Sequence, residues 1–453
     1  MKIDIIGGGI SGLSLAYMLL AKANNHTINL YESDEKVGGK IWTERSEGFV
    51  TEAGVNGFLD NRPATLTLSK ELNLQPIRSN DNARKRFICL DGKLKEIPEK
   101  PLSFMFSDFL SISGRINMVL EYFRPPNVKE DESMESFAVR RVGREFFEKL
   151  LDPMASGVYA GDPAKLSIRS CFAKVYELEK NYGGLIKGFL NIAKEKKKLG
   201  QKTEAGPGGT LHSFDRGMYS LIEVLRQILG ERVFTNKKAV SVEKKSESYI
   251  VNFDDGSMSE SDVLILAVPA HNASILLKDL DKGLSDYLNQ IQYPPLTVVS
   301  LGFKNRDFSG IDLNAFGFLV PARESRKILG TLFDTSIFPN RAPEGYTLLR
   351  TMVGGARFKE FALLEEDKLR EVVLSELRDL ISLRADPHYV RIFRWQKAIP
   401  QYNVGHHLLL ENIDRLLTQH KGLFLTGNAY RGVAVNDCIA NSEKLASQII
   451  RDF

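Results

Sequence analysis

Three glycines and one acid open the chain in a spacing that suits a phosphate ester. Gly7, Gly9 and Gly12 satisfy G-x-G-x-x-G, and Glu32 follows Gly12 by twenty residues. In such a run the first glycine makes a tight turn. The second lets the backbone approach a pyrophosphate, and the third lets a helix pack closely on a strand. Ile10 and Ser11 fall inside the run, where a helix N-terminus aims unpaired N–H groups and a positive dipole end at an anion. Glu32 sits where a carboxylate accepts hydrogen bonds from ribose hydroxyls, which favours FAD or NAD over NADP. Gly38-Gly39-Lys40 and Gly54-Val55-Asn56-Gly57 add two more glycine-rich loops, and Gly427-Asn428 and 432–437 add another near the end. Competing chemistries lack their residues. Cys89, Cys171 and Cys438 are scattered without C-x-x-C spacing, and neither a Ser-His-Asp set nor a Walker lysine is present. His406-His407 has the look of a metal pair but reads as a solvated loop, so no metal is expected.

The elements that must position these residues follow from periodicity. Residues 3–6 read as a buried parallel strand, and Leu13, Ala16, Tyr17 and Leu20 recur at helical spacing. A second strand is predicted at 27–31. A hairpin is predicted over 86–94, with Asp91-Gly92 at its turn. Residues 99–205 are helical in character. Phe104, Phe106, Phe109 and Leu110 lead into a stripe of Ile116, Val119, Leu120 and Phe123, and Leu185, Phe189 and Ile192 form another. Lys194, Lys196, Lys197, Lys198 and Lys202 follow that second stripe, as a solvated face or an interfacial one. The run 206–209 marks a boundary back to strands at 239–242, 249–253, 263–269 and 316–321. A strand at 422–428 and a helix at 438–450 close the pattern.

Bulk properties narrow the class. A chain of 453 residues exceeds one core's usual reach, so two or three domains are expected. A net charge of +4 on such a length gives no argument for nucleic acid. The first residues have neither the basic nor the apolar region of a signal peptide, and no run of about eighteen apolar residues occurs. The expectation is a cytoplasmic protein, soluble or bound to the inner face of a membrane.

The N-terminal fingerprint with Val37-Gly38-Gly39, the run 156–172 (Ser156-Gly157-Val158-Tyr159-Ala160-Gly161-Asp162-Pro163 through Phe172) and the block Gly432-Val433-Ala434-Val435-Asn436-Asp437-Cys438-Ile439 resemble the flavin amine oxidase superfamily. Within it, the last two blocks resemble the porphyrinogen oxidases. Ile399-Pro400-Gln401-Tyr402 extends the likeness over nearly the whole chain. The resemblance implies an α/β fold with three regions. These are a Rossmann-type FAD-binding domain from discontinuous segments (1–75, 208–288, 415–453), a mixed-sheet substrate domain (76–98, 289–414), and an inserted helical, membrane-associating domain (99–207). It implies FAD held by Gly7, Gly9, Gly12, Glu32, Gly39, Lys40, Gly54, Val55, Gly427, Asn428 and Val433, with Val240 presenting its backbone to adenine. Ala267, Trp395, Val435 and Asn436 are expected near the flavin ring. Asn56, Arg86, Phe316, Leu319, Met352 and Val353 are expected to position the substrate, with no acid or base assigned. The implied reaction is oxidation of protoporphyrinogen IX by molecular oxygen in three two-electron steps. Coproporphyrinogen oxidation, an amine oxidase or desaturase, and a non-catalytic prenyl-binding relative stand as alternatives. Expected partners are the porphyrinogen, oxygen, a membrane surface, a haem-pathway enzyme and a second copy of the chain in a homodimer.

Overall fold

The structure, a computed structural model, describes residues 1–22, 26–98, 107–127, 130–198 and 209–453. The strand Lys2–Ile6 is buried from Ile3 onward and takes the centre of a five-stranded sheet. Its neighbours in order are Val233–Phe234, Thr27–Tyr31, Lys2–Ile6, Val263–Leu266 and Leu423–Leu425, all parallel. Parallel strands buried on both faces need apolar runs, and Val263–Leu266 is buried at every position. One face is covered by the helices Ile10–Lys22, Tyr219–Leu229 and Val435–Asp452, through Leu13, Leu221, Leu225, Ile439 and Ile449. The other carries the three-stranded meander Ala239–Lys245, Ser248–Phe253, Met258–Ser261 and the helices Ala270–Leu277 and Lys282–Asn289. The predicted strand–glycine–helix–strand opening is present.

A seven-stranded mixed sheet forms the second layer system, ordered Tyr389–Trp395, Leu296–Lys304, Tyr346–Gly354, Gly330–Phe333, Gly317–Leu319, Arg86–Leu90, Lys93–Glu96. All pairings are antiparallel except Gly317–Leu319 beside Arg86–Leu90. Side chains alternate between faces along each strand. Cys89, Val299, Phe318, Phe333, Leu349 and Val353 point to one face and pack against Leu369, Val373 and Leu377 of the helix Glu366–Ile381. The opposite face therefore carries Arg86, Ile88, Leu319, Arg350 and Met352. A small sheet, Phe58–Leu59, Leu211–Phe214, Pro76–Arg78, pairs segments on both sides of the expected boundaries at 75 and 208.

Among the described residues, 107–198 hold helices only, chiefly Ile112–Leu120, Met134–Val142, Asp152–Tyr159, Ala173–Tyr182 and Leu185–Lys198. Arg141 and Glu121 pair there in a fully buried contact. Glu121 also accepts the backbone N–H groups of Leu185 and Ile186, capping the last of these helices. Ile112, Ile116, Val119 and Phe123 face outward at 76%, 53%, 51% and 74% exposure, and Phe189 and Leu190 are exposed beside them. Phe104, Phe106, Lys202 and 206–208 lie outside the described residues, as do the side chains of Lys196 and Lys197.

Candidate functional site

The glycine turn separates two kinds of glycine requirement. A Cβ on Gly7 would strike the carbonyl of Ala267 at 2.6 Å, and one on Gly12 would strike that of Gly7 at 2.0 Å. Those positions are glycine because of the protein itself. Gly9 differs, since a Cβ there would meet only the Cα of Gly39, at 3.9 Å. The fold leaves room at Gly9 that no described residue fills, as a backbone approached by a pyrophosphate requires. Glu32 ends the second strand beside the turn. Its carboxylate accepts from the Gly8 N–H at 2.7 Å, the Ser33 hydroxyl at 2.8 Å and the Asp34 N–H at 3.1 Å. The side chains of Ile10 and Ser11 are buried in the core beneath, so only their backbone can face a ligand. Along Ala239–Lys245 the register with Ser248–Phe253 skips Val240, leaving it out of the ladder.

From the turn, close backbone approaches trace a track. Gly9 bridges Gly38, and Lys40 follows. The Lys40 carbonyl lies 2.8 Å from where a Gly54 Cβ would stand, and Asn56 follows that. Lys40 Nζ lies 4.1 Å from the centre of the Trp395 ring and donates to the carbonyl of Lys397 at 2.8 Å, with no carboxylate paired to it among the described residues. Burial holds this ammonium down at about 8. Trp395 Nε1 donates to Ala53 O at 2.8 Å, locking the second glycine loop to the mixed sheet. Both amide atoms of Asn56 are buried without a hydrogen-bond partner among the described residues. His271, beside Lys40 and Lys397, has a buried Nδ1 with no partner among the described residues, and burial with those two charges holds it down at about 4. A track with glycine-width backbone, an uncompensated buried lysine and an orphaned amide fits an elongated, anionic, hydrogen-bonding group such as FAD.

Several expected positions have packing or hydrogen-bonding partners within the chain. Ala267 contacts the glycine turn, as its closeness to Gly7 and Gly12 shows. Val435 is buried in the core under the helix Val435–Asp452. Asn436 accepts from Thr65 N and Oγ1 and donates to Leu59 O, so its side chain is spent on clamping that helix. Val353 is fully buried on the sheet face opposite Met352, because adjacent strand residues point in opposite directions. His406 and His407 begin the helix His406–Leu417 rather than a solvated loop. His406 stacks on Tyr402 at 4.2 Å, and burial holds it down at about 4. No group of three metal-ligating side chains occurs among the described residues.

Tyr402 matters more than its spacing revealed. Its hydroxyl donates to Asn428 O at 2.6 Å and accepts from Gly432 N at 3.0 Å, tying together the loop of Gly427 and Asn428. Gly427 has φ of +134° and open space where a Cβ would be. Val433 packs with Tyr402 against the helical region. On the mixed sheet, the Arg86 guanidinium lies 5.3 Å from the centre of the Phe316 ring and has no ion pair with a described residue. Leu319 and Met352 share its face, and Gly157 approaches Leu319 so closely that a Cβ would touch it at 3.0 Å.

Four charged residues went unread in the sequence: Glu52, Asp334, Arg341 and Arg350, each 2% exposed or less. Burial raises both carboxyls against the pull of the arginines. The available signal was Arg350 itself, a charge inside the apolar run Thr347-Leu348-Leu349-Arg350-Thr351-Met352-Val353.

Comparison with known proteins agrees with this geometry. The profile of the flavin containing amine oxidoreductase family matches residues 10–450. Over 469 residues the chain is 35% identical to protoporphyrinogen oxidase 1, chloroplastic, of Arabidopsis thaliana, covering 98% of this chain and 87% of that one. It is 27% identical over 461 residues to the coproporphyrinogen III oxidase of Bacillus subtilis, covering 98% and 97%. A crystal structure from Exiguobacterium shares the fold with a TM-score of 0.86 at 25% identity, over 100% of this chain and 99% of that one. A phosphate-width glycine track on a parallel sheet and a family match over nearly the whole length lead to one conclusion: the chain belongs to the flavin containing amine oxidoreductase family and is an FAD-dependent oxidoreductase.

Proposed function

We propose that this enzyme oxidises protoporphyrinogen IX to protoporphyrin IX, with molecular oxygen as acceptor and hydrogen peroxide as co-product. The observation that carries the reading is the sheet face on which Arg86, without an ion-pair partner among the described residues, lies over Phe316 beside apolar Leu319 and Met352. Such a face suits a flat macrocycle with apolar edges and a carboxylate at one corner. Bound FAD supplies a two-electron acceptor, so loss of six hydrogens takes three turnovers. The cofactor positions proposed are the backbone of Gly9, Ile10, Ser11, Gly39, Gly54, Val55, Val240, Gly427 and Val433, together with Glu32, Lys40 and Trp395.

The chain's own residues then orient substrate and exclude water. Arg86 pairs a propionate bidentately. The segment around Gly157 and Ala160 covers Leu319 and Met352. Arg357 holds that cover by pairing with Asp152 at 2.5 Å and Asp162 at 3.1 Å. Nitrogen protons leave to water, and no side chain is needed as general base. The division into FAD-binding, substrate and helical regions belongs to this proposal, as does attachment to a membrane surface through the exposed apolar face of 112–123 and 185–198. No described helix is long and apolar enough to cross a membrane.

The Bacillus relative supports a second reading, coproporphyrinogen III as substrate. That molecule carries four carboxylates, and each one buried unpaired costs several kcal/mol. Among the substrate-positioning residues Asn56, Arg86, Phe316, Leu319, Met352 and Val353 only Arg86 is basic, so two propionates, one paired and one in solvent, fit better. Purified protein carrying flavin should bleach anaerobically on addition of protoporphyrinogen IX, and its kcat/KM should exceed that for coproporphyrinogen III. A ratio favouring coproporphyrinogen by about tenfold, or about 1.4 kcal/mol, overturns the assignment.

A further inference from the structure

The four buried charges described above join parts of the chain that are distant in sequence. Glu52 ends the strand Phe49–Glu52, and Arg341 closes the short turn Pro339–Arg341. Asp334 opens the helix Asp334–Ile337, and Arg350 lies mid-strand in Tyr346–Gly354. Arg341 lies 3.5 Å from the Glu52 carboxylate and donates to Ser213 Oγ at 2.6 Å and Phe214 O at 3.2 Å. Glu52 also accepts from Thr43 Oγ1 at 2.7 Å and Met218 N at 2.8 Å. Arg350 Nε stands 3.1 Å from Asp334 in ion-pair contact, and its Nη1 donates to Gly54 O at 3.0 Å and Glu52 O at 3.4 Å. Two guanidinium groups and two carboxylates cancel in charge, out of reach of water.

A well-packed apolar set of similar volume would commonly serve stability as well as a buried ion pair. What the quartet does that apolar residues could not is grip carbonyl oxygens. Arg341 grips that of Phe214, and Arg350 grips those of Glu52 and Gly54, in the segment that leads to Asn56. Trp395 holds the one between, Ala53 O. Three consecutive carbonyls of this loop are thus fixed by side chains of the mixed sheet, and the next side chain of amide chemistry is orphaned. The loop also lies at the far end of the backbone track from Gly9 through Gly39 and Lys40 to Gly54. A dinucleotide whose pyrophosphate sits at Gly9 brings its ring system there.

We propose that Glu52, Asp334, Arg341 and Arg350 form a positioning device that holds the Asn56 carboxamide against the ring of the bound flavin, where it offers one donor and one acceptor to the ring's polar edge. Asn56 is the residue that touches the cofactor, and the quartet acts through it. The inference rests on the family assignment for the flavin and on the reading above only for the choice of assay substrate.

The test uses purified holoenzyme and compares Asn56→Ala, the charge-neutral double variant D334N/R350M, and the triple variant combining them. Removing both charges together avoids leaving either buried alone. Asn56→Ala should shift the visible absorption of the flavin and its midpoint potential, and lower kcat by about tenfold or more with KM nearly unchanged. The double variant should keep full flavin occupancy and show the same shifts in the same direction. Adding Asn56→Ala to it should change nothing further, since both act on one interaction. Arg350→Lys, which keeps the charge and one donor, should restore part of kcat relative to Arg350→Met. A quartet that only fastens the fold would lower the melting temperature while leaving the spectrum and the rate per bound flavin unchanged, and that result overturns the proposal. So do losses that multiply in the triple variant. If protoporphyrinogen fails to bleach the wild-type flavin, the substrate reading fails alone, because the spectral and potential measurements involve no substrate.

Discussion

At the scale of single residues, Gly9 and Gly12 look alike in the fingerprint yet answer to different masters. Gly12→Ala drives a Cβ into backbone 2.0 Å away and should abolish folding. Gly9→Ala meets nothing nearer than 3.9 Å within the chain and should fold with ordinary circular dichroism while losing flavin. Full occupancy in a folded Gly9→Ala protein would contradict the pyrophosphate placement. Lys40 gives a second case. Its ammonium is held at about 8 against an ordinary 10.5, so between those values the folded apoprotein binds fewer protons than the unfolded chain. Apoprotein stability attributable to this residue therefore rises from pH 8 to 10.5 and is at its least below 8, where the charge is buried. Lys40→Met apoprotein should melt above wild type at pH 7 and lose that advantage near pH 10.5, while binding FAD more weakly at both. Equal melting temperatures across the range would mean that solvent reaches the ammonium. Neither distinction could be read from letters, because a spacing motif does not say which neighbour forbids a side chain.

Among elements, the helices at 112–123 and 185–198 carry their apolar stripes outward. The sequence marks Ile116, Val119 and Phe123 as one stripe, and the stripe exists, but periodicity cannot tell whether a stripe meets a core or a surface. The Glu121–Arg141 pair and the cap on Leu185 and Ile186 set the two helices as one rigid face, with Lys187 over Tyr122 at its border. Sedimentation with anionic liposomes should weaken with rising salt and weaken further in a Phe123→Ser, Phe189→Ser variant of unchanged melting temperature. Binding indifferent to both changes would remove the membrane proposal. Strand placement shows the same division. The opening strands, the hairpin and its Asp-Gly turn were legible because turn chemistry and periodicity are local. The opposite facings of Met352 and Val353 needed the sheet, and the work done by Asn436 needed the helix Ala64–Glu71.

For the molecule as a whole, one buried and one half-buried histidine contribute to its sensitivity to acid. His271 and His406 are held at about 4 against an ordinary 6.5, chiefly by burial. Both are neutral in the folded protein at neutral pH, and the unfolded chain takes up protons first as pH falls. Stability is therefore full above 6.5 and declines toward 4. For the more deeply buried His406 the slope is at most about 1.4 kcal/mol per pH unit. Denaturation midpoints in urea at pH 7 and 5 should differ less for His406→Phe than for wild type, and an equal difference would show that other groups govern acid unfolding. The discontinuous parallel sheet carries a consequence for how such a chain is made. Its strand Lys2–Ile6 and glycine turn are made hundreds of residues before the neighbouring strands Val263–Leu266 and Leu423–Leu425 and before the helix Val435–Asp452 that packs on the helix Ile10–Lys22. Until those segments join it the cofactor's cradle is a half-built sheet with open edges, so stable flavin capture should follow their arrival.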